Sequence, residues 1–335
     1  LLRVNGDAAT TVANRPILSV TYVTNGTTTS FKNGVNGYVG FTGITTQHPA
    51  DGVLATTQIT ATSTKVTLDG ATGNSLPGNI SSPDWLGLLK VGNIFGSAKS
   101  QVPTRATVSK AWFVVNTGTG SNDQSGGPYN MYRMITAWDT TSTYDSLSTV
   151  GGPYLGPISG TDYLAAGVTS SPSSLPQGAN SLFDITADIT AWKNGTANNG
   201  WLFRTRTTTD GWAFNGPGAA DVNKRPELQV SYVIDQLRWK GDVSAVWNAG
   251  TAVGTGGTNN WILETAGTVT NFIPTDRVLF DDTAAGTGAL TISVATDLQP
   301  QRVTFNNSTR DYALTGPGAL TGGGEFWKTG LGTTV

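Results

Sequence analysis

The sequence predicts an all-β chain, and three observations carry that prediction. Gly is 43 of 335 residues, Thr, Ser and Asn abound, and Glu, Lys and Met are scarce. Such a composition suits short strands joined by many turns. Apolar and polar residues alternate over short runs, the period of a strand with one buried face. One strand also occurs twice: "NRPILSVTY" at 14–22 nearly reappears as "KRPELQVSY" at 224–232. In the first copy Leu18, Val20 and Tyr22 point one way and Ile17, Ser19 and Thr21 the other; in the second, Leu228, Val230 and Tyr232 form the inward set. Pro16 and Pro226 lack a donor for the ladder, so each belongs at a strand start or on an edge. The copies lie 210 residues apart, a domain length rather than a solenoid period.

Residues 1–23 are expected to be the terminal hairpin of a preceding or neighbouring domain copy, since "LLRV" echoes "LFRT" at 202–205. Within them Ile17, Leu18, Val20 and Tyr22 form a candidate assembly strand. Residues 24–35, "TNGTTTSFKNGV", have the composition of a turn-rich linker. The first full domain is expected over 36–234. "YVGFTGITT" and "TQITATSTKVTLDG" supply its first strands, the latter ending at an Asp69-Gly70 turn. "WLGLLKVGNIFG" is an apolar run fit for a buried strand. "ATVSKAWFVVNTG" puts Ala111, Phe113 and Val115 on one face and Trp112 and Val114 on the other. "SLFDITADITAWKNG" is the best helix candidate: Asp184 is placed to cap it, and Ile185, Ile189 and Trp192 recur at helical spacing. Residues 236–335 change in texture to short strands punctuated by Gly and Asn.

Charge and composition restrict function. Charged residues are 13% and the net charge is −2, so attraction for nucleic acid or an anionic membrane is weak. No run approaches the ~18 apolar residues of a membrane-spanning helix. The chain has no Cys, and a domain of about 200 residues buries enough core without disulfides. A charge-poor, Gly/Thr/Asn-rich, Cys-free β chain suggests an extracellular or cell-surface bacterial protein. With no initiator Met, it is expected to be a piece of a longer one.

Catalytic chemistry has little to work with. The one His, His48 in "TTQHPADG", sits in a turn-like stretch, and there is no G-x-S-x-G elbow to pair with it. The Glu residues, Glu227, Glu264 and Glu325, suggest no catalytic pair. The expectation is a protein that is not an enzyme and has no cofactor, with calcium as the one open candidate. Asp123 in "GSNDQSGGPYN" and Asp281 and Asp282 in "FDDTAAG" lie in oxygen-rich stretches, but neither has EF-hand or nonapeptide spacing, and exposed turns with ordinary Asx chemistry explain them better. Of the Trp residues, Trp112, Trp201 and Trp212 are candidates for stacking on sugar rings, with a core role as the competing reading.

The motif order adds a resemblance. "ATVSKAWFVV" is followed by "YRMITAWD" with Trp138. Next come Asp184, Thr186, Ile189 and Trp192, then Asn199, Gly200 and Leu202, and finally Arg225 to Tyr232. That order resembles the bacterial DNRLRE-type domain, related to carbohydrate-binding module family 96, although "WDTTSTYD" departs from it after Trp138. The resemblance implies a jelly-roll-like β-sandwich, with carbohydrate binding as one possible function. Farther on, Trp239, Gly241, Trp247, Asn260-Trp261, "VLFDD" at 278–282, "VTFNNS" at 303–308 and "LTGGGEFWKTGLGT" are similar to the autotransporter-associated β-strand repeat of large surface proteins. This second resemblance implies a short β-solenoid over 236–335, with Phe326-Trp327 before Lys328 as a departure. The expected function is therefore structural: a surface, matrix or fibre component assembling through β-strand contacts. Its expected partners are other copies, head to tail, or tandem domains of a longer parent chain, with residues 1–23 available for strand donation. The alternative is a carbohydrate-binding or adhesive module with a polysaccharide partner.

Overall fold

The computed structural model describes residues 26–48, 55–68, 84–98, 100–150, 156–165, 169–171, 174–204 and 210–335. The duplicated strand at 14–22, and with it Ile17, Leu18, Val20 and Tyr22, lies outside the described residues. The protein is mostly β, with both antiparallel and parallel sheets.

The first region contains β1 (Thr27–Lys32), β2 (Phe41–His48), β3 (Ala55–Ile59), β4 (Lys65–Leu68), β5 (Asp84–Val91), β6 (Thr107–Asn116), β7 (Asn130–Arg133), β8 (Thr169–Ser170), β9 (Asn180–Asp184), α1 (Thr186–Lys193), β10 (Trp201–Arg204), β11 (Trp212–Asn215) and β12 (Glu227–Val233). Four strands pair antiparallel in the order β1-β12-β6-β9, and six in the order β3-β2-β5-β10-β7-β8. The two sheets share one core. Phe113 on β6 packs on Trp201 and Phe203 of β10 with ring centroids 5.4 and 6.0 Å apart. Ala111, Phe113 and Val115 are buried, as are Leu228, Val230 and Tyr232, so both alternating patterns point inward as their spacing requires.

The six-stranded sheet is covered on its other face as well. Ile44, Leu86, Leu88 and Leu202 pack there with Met134, Tyr144, Leu147 and Tyr163. Double burial explains why "WLGLLKV" and "WLFR" are runs of apolar residues rather than alternations. Gly200 turns the chain into β10 at φ +70°, where an added Cβ would lie 2.3 Å from the Leu89 carbonyl oxygen.

Two local expectations are corrected. The supposed linker at 24–35 contains β1, an edge strand in antiparallel register with β12 from Thr27↔Tyr232 to Lys32↔Glu227. Its Thr residues lie on a pleated surface and Phe31 enters the core, which a reading of Thr, Asn and Gly as turn formers misses. The helix candidate splits at Asp184. Residues 180–184 form β9, and only 186–193 are helical. Asp184 accepts hydrogen bonds from the Thr186 N–H (3.1 Å) and hydroxyl (2.7 Å), so its carboxylate serves the strand-to-helix turn.

The second region contains β13 (Leu237–Trp239), β14 (Val246–Trp247), β15 (Trp261–Leu263), β16 (Val269–Thr270), β17 (Arg277–Asp281), β18 (Leu290–Val294), β19 (Arg302–Asn306), β20 (Tyr312–Thr315) and β21 (Glu325–Lys328). Here pairing is chiefly parallel. The order is β16-β15-β13-β17-β19-β21 in one sheet and β14-β18-β20 in the other. Among these strands only β15 runs the opposite way, paired antiparallel with β13 on one side and with β16 on the other. Parallel partners recur at short intervals: Arg277↔Arg302 and Arg302↔Glu325, 25 and 23 residues apart, and Leu290↔Tyr312 and Tyr312↔Thr334, 22 apart. The interior is a separate apolar cluster, in which Phe280 packs on Trp239 (5.7 Å) and stacks at 14° on Phe305 (4.8 Å).

Two arginines join the regions, Arg277 of β17 by a long bond to the Thr27 hydroxyl of β1 (3.4 Å) and Arg105 by several. Arg105, just before β6, donates to the Asp276 carboxylate (2.7 Å), the Thr270 hydroxyl (3.2 Å) and the Asn271 carbonyl (2.8 Å). Both members of the ion pair are buried, at 6% and 1% side-chain exposure. Burial pushes the Asp276 carboxyl up to about 6, against the opposing pull of Arg105 and of the Ile273 N–H. No helix among the described residues is long and apolar enough to cross a membrane.

Candidate functional site

Of the three Trp residues proposed to stack on sugars, the structure leaves one outside the core. Trp201 and Trp212 are buried, and their indole N–H groups donate inward, to Asp188 (2.8 Å) and to the Thr117 hydroxyl (3.1 Å). Neither face is open to a ligand, which corrects that expectation. Trp112 differs because β6 alternates. Its neighbours Ala111 and Phe113 take the core side, leaving the indole half-buried on the outer face of the four-stranded sheet. Gln229 and Asp184 flank it on the neighbouring strands, and the Lys110 ammonium lies 4.6 Å from its ring centroid. Lys110 also bonds Asp184 at 2.5 Å. Burial raises the affinity of the Asp184 carboxyl for protons, but Lys110 and the two Thr186 donors outweigh it and hold the group below the usual carboxylate range. Exposed Leu182 on β9 and half-buried Val114 lie on the same side, so the indole has apolar and polar neighbours.

The calcium candidates are engaged by the protein's own donors. Asp123 is buried, pairs with Lys65 and accepts the Gly120 N–H (2.8 Å). Asp281 accepts the Thr283 hydroxyl (2.6 Å) and faces Arg238. Asp282 accepts the backbone N–H groups of Ser308, Thr309 and Arg310, each at 3.0 Å, one repeat farther along. The Thr309 N–H, followed by its neighbours, holds the Asp282 carboxyl below its ordinary range. Asp297 and Asp311 act alike on Ala319 N–H (3.0 Å) and Thr333 N–H (2.6 Å). These acids tie each repeat to the next. Among the described residues no group of three or more His, Cys, Asp or Glu is placed to hold a metal. His48, expected in a turn, is the last residue of β2 and pairs with Asp84.

One feature escaped the sequence reading. Trp85 on β5 lines a cleft of ≈ 410 Å³ with Thr67, Asn122, Gln124 and Asp210. The apolar run that contains it pointed only to burial. The edge strand β21, paired only with β19 in its sheet, lies where the sequence reading expected an unfinished repeat. Phe326 continues the inward column of Val278 and Val303 and touches Phe305 at 5.4 Å, yet it is 58% exposed where they are 0% and 2%. Trp327 faces outward beneath Arg302, whose guanidinium lies 4.0 Å from its ring centroid. Lys328 stands in register with Phe305 and interrupts the aromatic column with a charge. The departure of Phe326-Trp327-Lys328 from the repeat pattern was the available signal.

No protein-family model matches the chain, and comparison with curated proteins finds no match.

Proposed function

We propose that the chain is a non-catalytic structural segment of an extracellular or cell-surface protein. In this reading a jelly-roll-like β-sandwich, the antiparallel region, is carried on a short β-solenoid, the parallel region, and the unit assembles through β-strand contacts. The observation that carries it is the parallel ladder repeating every 22 to 25 residues, with stacked rings inside and carboxylates tying each turn to the next. A stack of this kind is quasi-one-dimensional: each repeat touches its neighbours, and its product is length and surface. Arg105 ties the sandwich to this stack. Partners are other copies of the chain or tandem domains of a longer parent.

The duplicated strand supports assembly by donation. Its counterpart β12 is an inner strand, with β1 on one side and β6 on the other. A sequence of that kind is suited to being covered on both edges, as a donated strand is. The test is light scattering of the full chain over a wide concentration range, with and without residues 1–23. Species above monomer are expected for the full chain, and strictly monomeric behaviour at the highest concentration overturns the reading.

Trp112 favours a second reading, a carbohydrate-binding or adhesive face. A sheet face with one half-buried indole, the Lys110 ammonium over its ring and Asp184 and Gln229 beside it, suits a sugar ring, which has an apolar face and a polar rim. Binding to one of a panel of polysaccharides, abolished by Trp112→Ala, is the result that supports it; unchanged binding in that variant removes it.

A further inference from the structure

Among the described residues β1 pairs with β12 on one side and with nothing on the other. Which backbone groups this leaves follows from the ladder. The Ala111 carbonyl accepts the Ile185 N–H (3.1 Å) and the Thr117 N–H donates to the Ala179 carbonyl (2.9 Å), so alternate residues of β6 face β9. Those between, Trp112 and Val114 among them, face Gln229 and Glu227 of β12. Leu228 and Val230 therefore face β1, where they meet Phe31 and Thr29. The peptide groups of Thr28 and Ser30 are left pointing away from β12. A cleft of ≈ 680 Å³ lies beside them, lined by Thr28, Thr29, Ser30, Asn36 and Ser100. A row of uncovered donors and acceptors is a template for a further strand.

We propose that residues 17–22 of the same chain take this edge, antiparallel to β1 and in the register that β12 uses on its other side. The connection is short. Only "VTNG" at 23–26 separates Tyr22 from Thr27, the first residue of β1, and four residues with Asn25-Gly26 among them suit a hairpin loop. Closing the chain there opposes Tyr22 to Thr27, Val20 to Thr29 and Leu18 to Phe31. Opposed residues share a face, and on β1 that face is the inner one: Phe31 is fully buried and Thr27 and Thr29 are half-buried. The alternation of Leu18, Val20 and Tyr22 thus lands on the core side, and a slip of one residue sends all three to the solvent side. The same three residue types already face β1 from β12, where Tyr232 opposes Thr27, Val230 opposes Thr29 and Leu228 opposes Phe31. Pro16 falls just before the added strand, where its missing donor costs no ladder bond. This goes beyond the assembly reading. It gives the duplicated strand a place within its own chain, so donation to a neighbour becomes an exchange in which the hairpin opens and the same contacts form on another copy.

The chain has no Cys, so an introduced pair reports its own contact. The experiment compares disulfide formation in full chains carrying Val20→Cys with Thr29→Cys, or Thr21→Cys with Thr29→Cys, the latter pair on opposite faces. It is accompanied by amide exchange at Thr28 and Ser30 of the unaltered chain at low and high concentration. The expected result is a 20–29 disulfide within one chain, formed at least tenfold faster than the 21–29 control. Exchange at Thr28 and Ser30 is expected to be slow and the same at every concentration. The exchange arm needs no substitution, so it stands even where the Cys variants fold poorly. Two results overturn the proposal. A 20–29 disulfide that joins two chains, with Thr28 and Ser30 protected only at high concentration, assigns the edge to a neighbour's strand and leaves the assembly reading intact. Fast exchange at Thr28 and Ser30 at every concentration, with no preference for the 20–29 pair, shows an uncovered edge. A disulfide within a chain that stays monomeric in light scattering upholds the proposal and removes the assembly reading.

Discussion

The two regions bury similar residues by opposite means. In the antiparallel region, neighbours in space come from far apart in sequence. Phe113 lies against Phe41, Trp201 and Phe203, and β1 pairs with β12 across some two hundred residues. In the parallel region a strand's partners are one repeat away, and Phe280 touches Phe305 25 residues on. The first arrangement gains little until most of it is in place, so its strands stand or fall together. The second, as the stack of repeats proposed above, can loosen one repeat at a time. Cooperativity therefore follows topology more closely than it follows the amount of apolar surface buried.

Truncating Phe113 gives the largest expected effect. Phe113→Ala removes a fully buried ring touched by both sheets and is expected to cost about 3–5 kcal/mol in urea denaturation, with the antiparallel region still melting in one step. Phe326→Ala in β21 is expected to cost a small fraction of that. Equal losses at the two positions break the contrast.

The junction comes next. Arg105→Ala leaves the Asp276 carboxylate buried without its cation, which is expected to cost about 3 kcal/mol at neutral pH and to separate the melting of the two regions. The pH dependence has a definite sign. The folded-state pKa of Asp276, about 6, lies above the ordinary aspartate value of 3.8, so the folded protein holds this proton more tightly. The stability it contributes is fully present below about pH 4 and is lost as pH rises through about 6. Asp123, Asp184, Glu227 and Asp282, all held low, act the other way, and they do so below about pH 4. Between these limits Arg105→Ala is expected to melt higher at pH 5 than at pH 7, by a wider margin than the unaltered chain. A flat profile refutes the assignment.

Much of this architecture was legible because alternation is a backbone fact. Leu228, Val230 and Tyr232, like Ala111, Phe113 and Val115, had only one side on which to be buried. What escaped were features decided by neighbours distant in sequence. β1 looked like linker because its Thr residues make a strand only once β12 is beside them. Trp201 and Trp212 looked available because periodicity cannot tell which of two faces a second layer covers. Trp112 was legible as the residue opposed to Phe113. The cation that pairs with Asp123, Lys65, lies 58 residues away and the donors to Asp282 lie 26 or more residues on, so composition could show them only as acids in search of a cation.

Asp282 offers the smallest effect and the most local one. Its carboxylate accepts three N–H groups at the start of the next repeat, an exposed arrangement akin to a helix cap laid across two turns of a stack. If rungs are tied singly, Asp282→Ala frees the amides of Ser308, Thr309 and Arg310 and leaves the antiparallel core untouched. Hydrogen exchange is therefore expected to speed up at those three residues, with the β19 amides little changed and global denaturation nearly superimposable on that of the unaltered chain. Exchange that accelerates throughout the parallel region makes the stack one cooperative unit, as the antiparallel region is, and erases the distinction between the two. Exchange that stays unchanged at 308–310 means that the parallel ladder alone holds the turn.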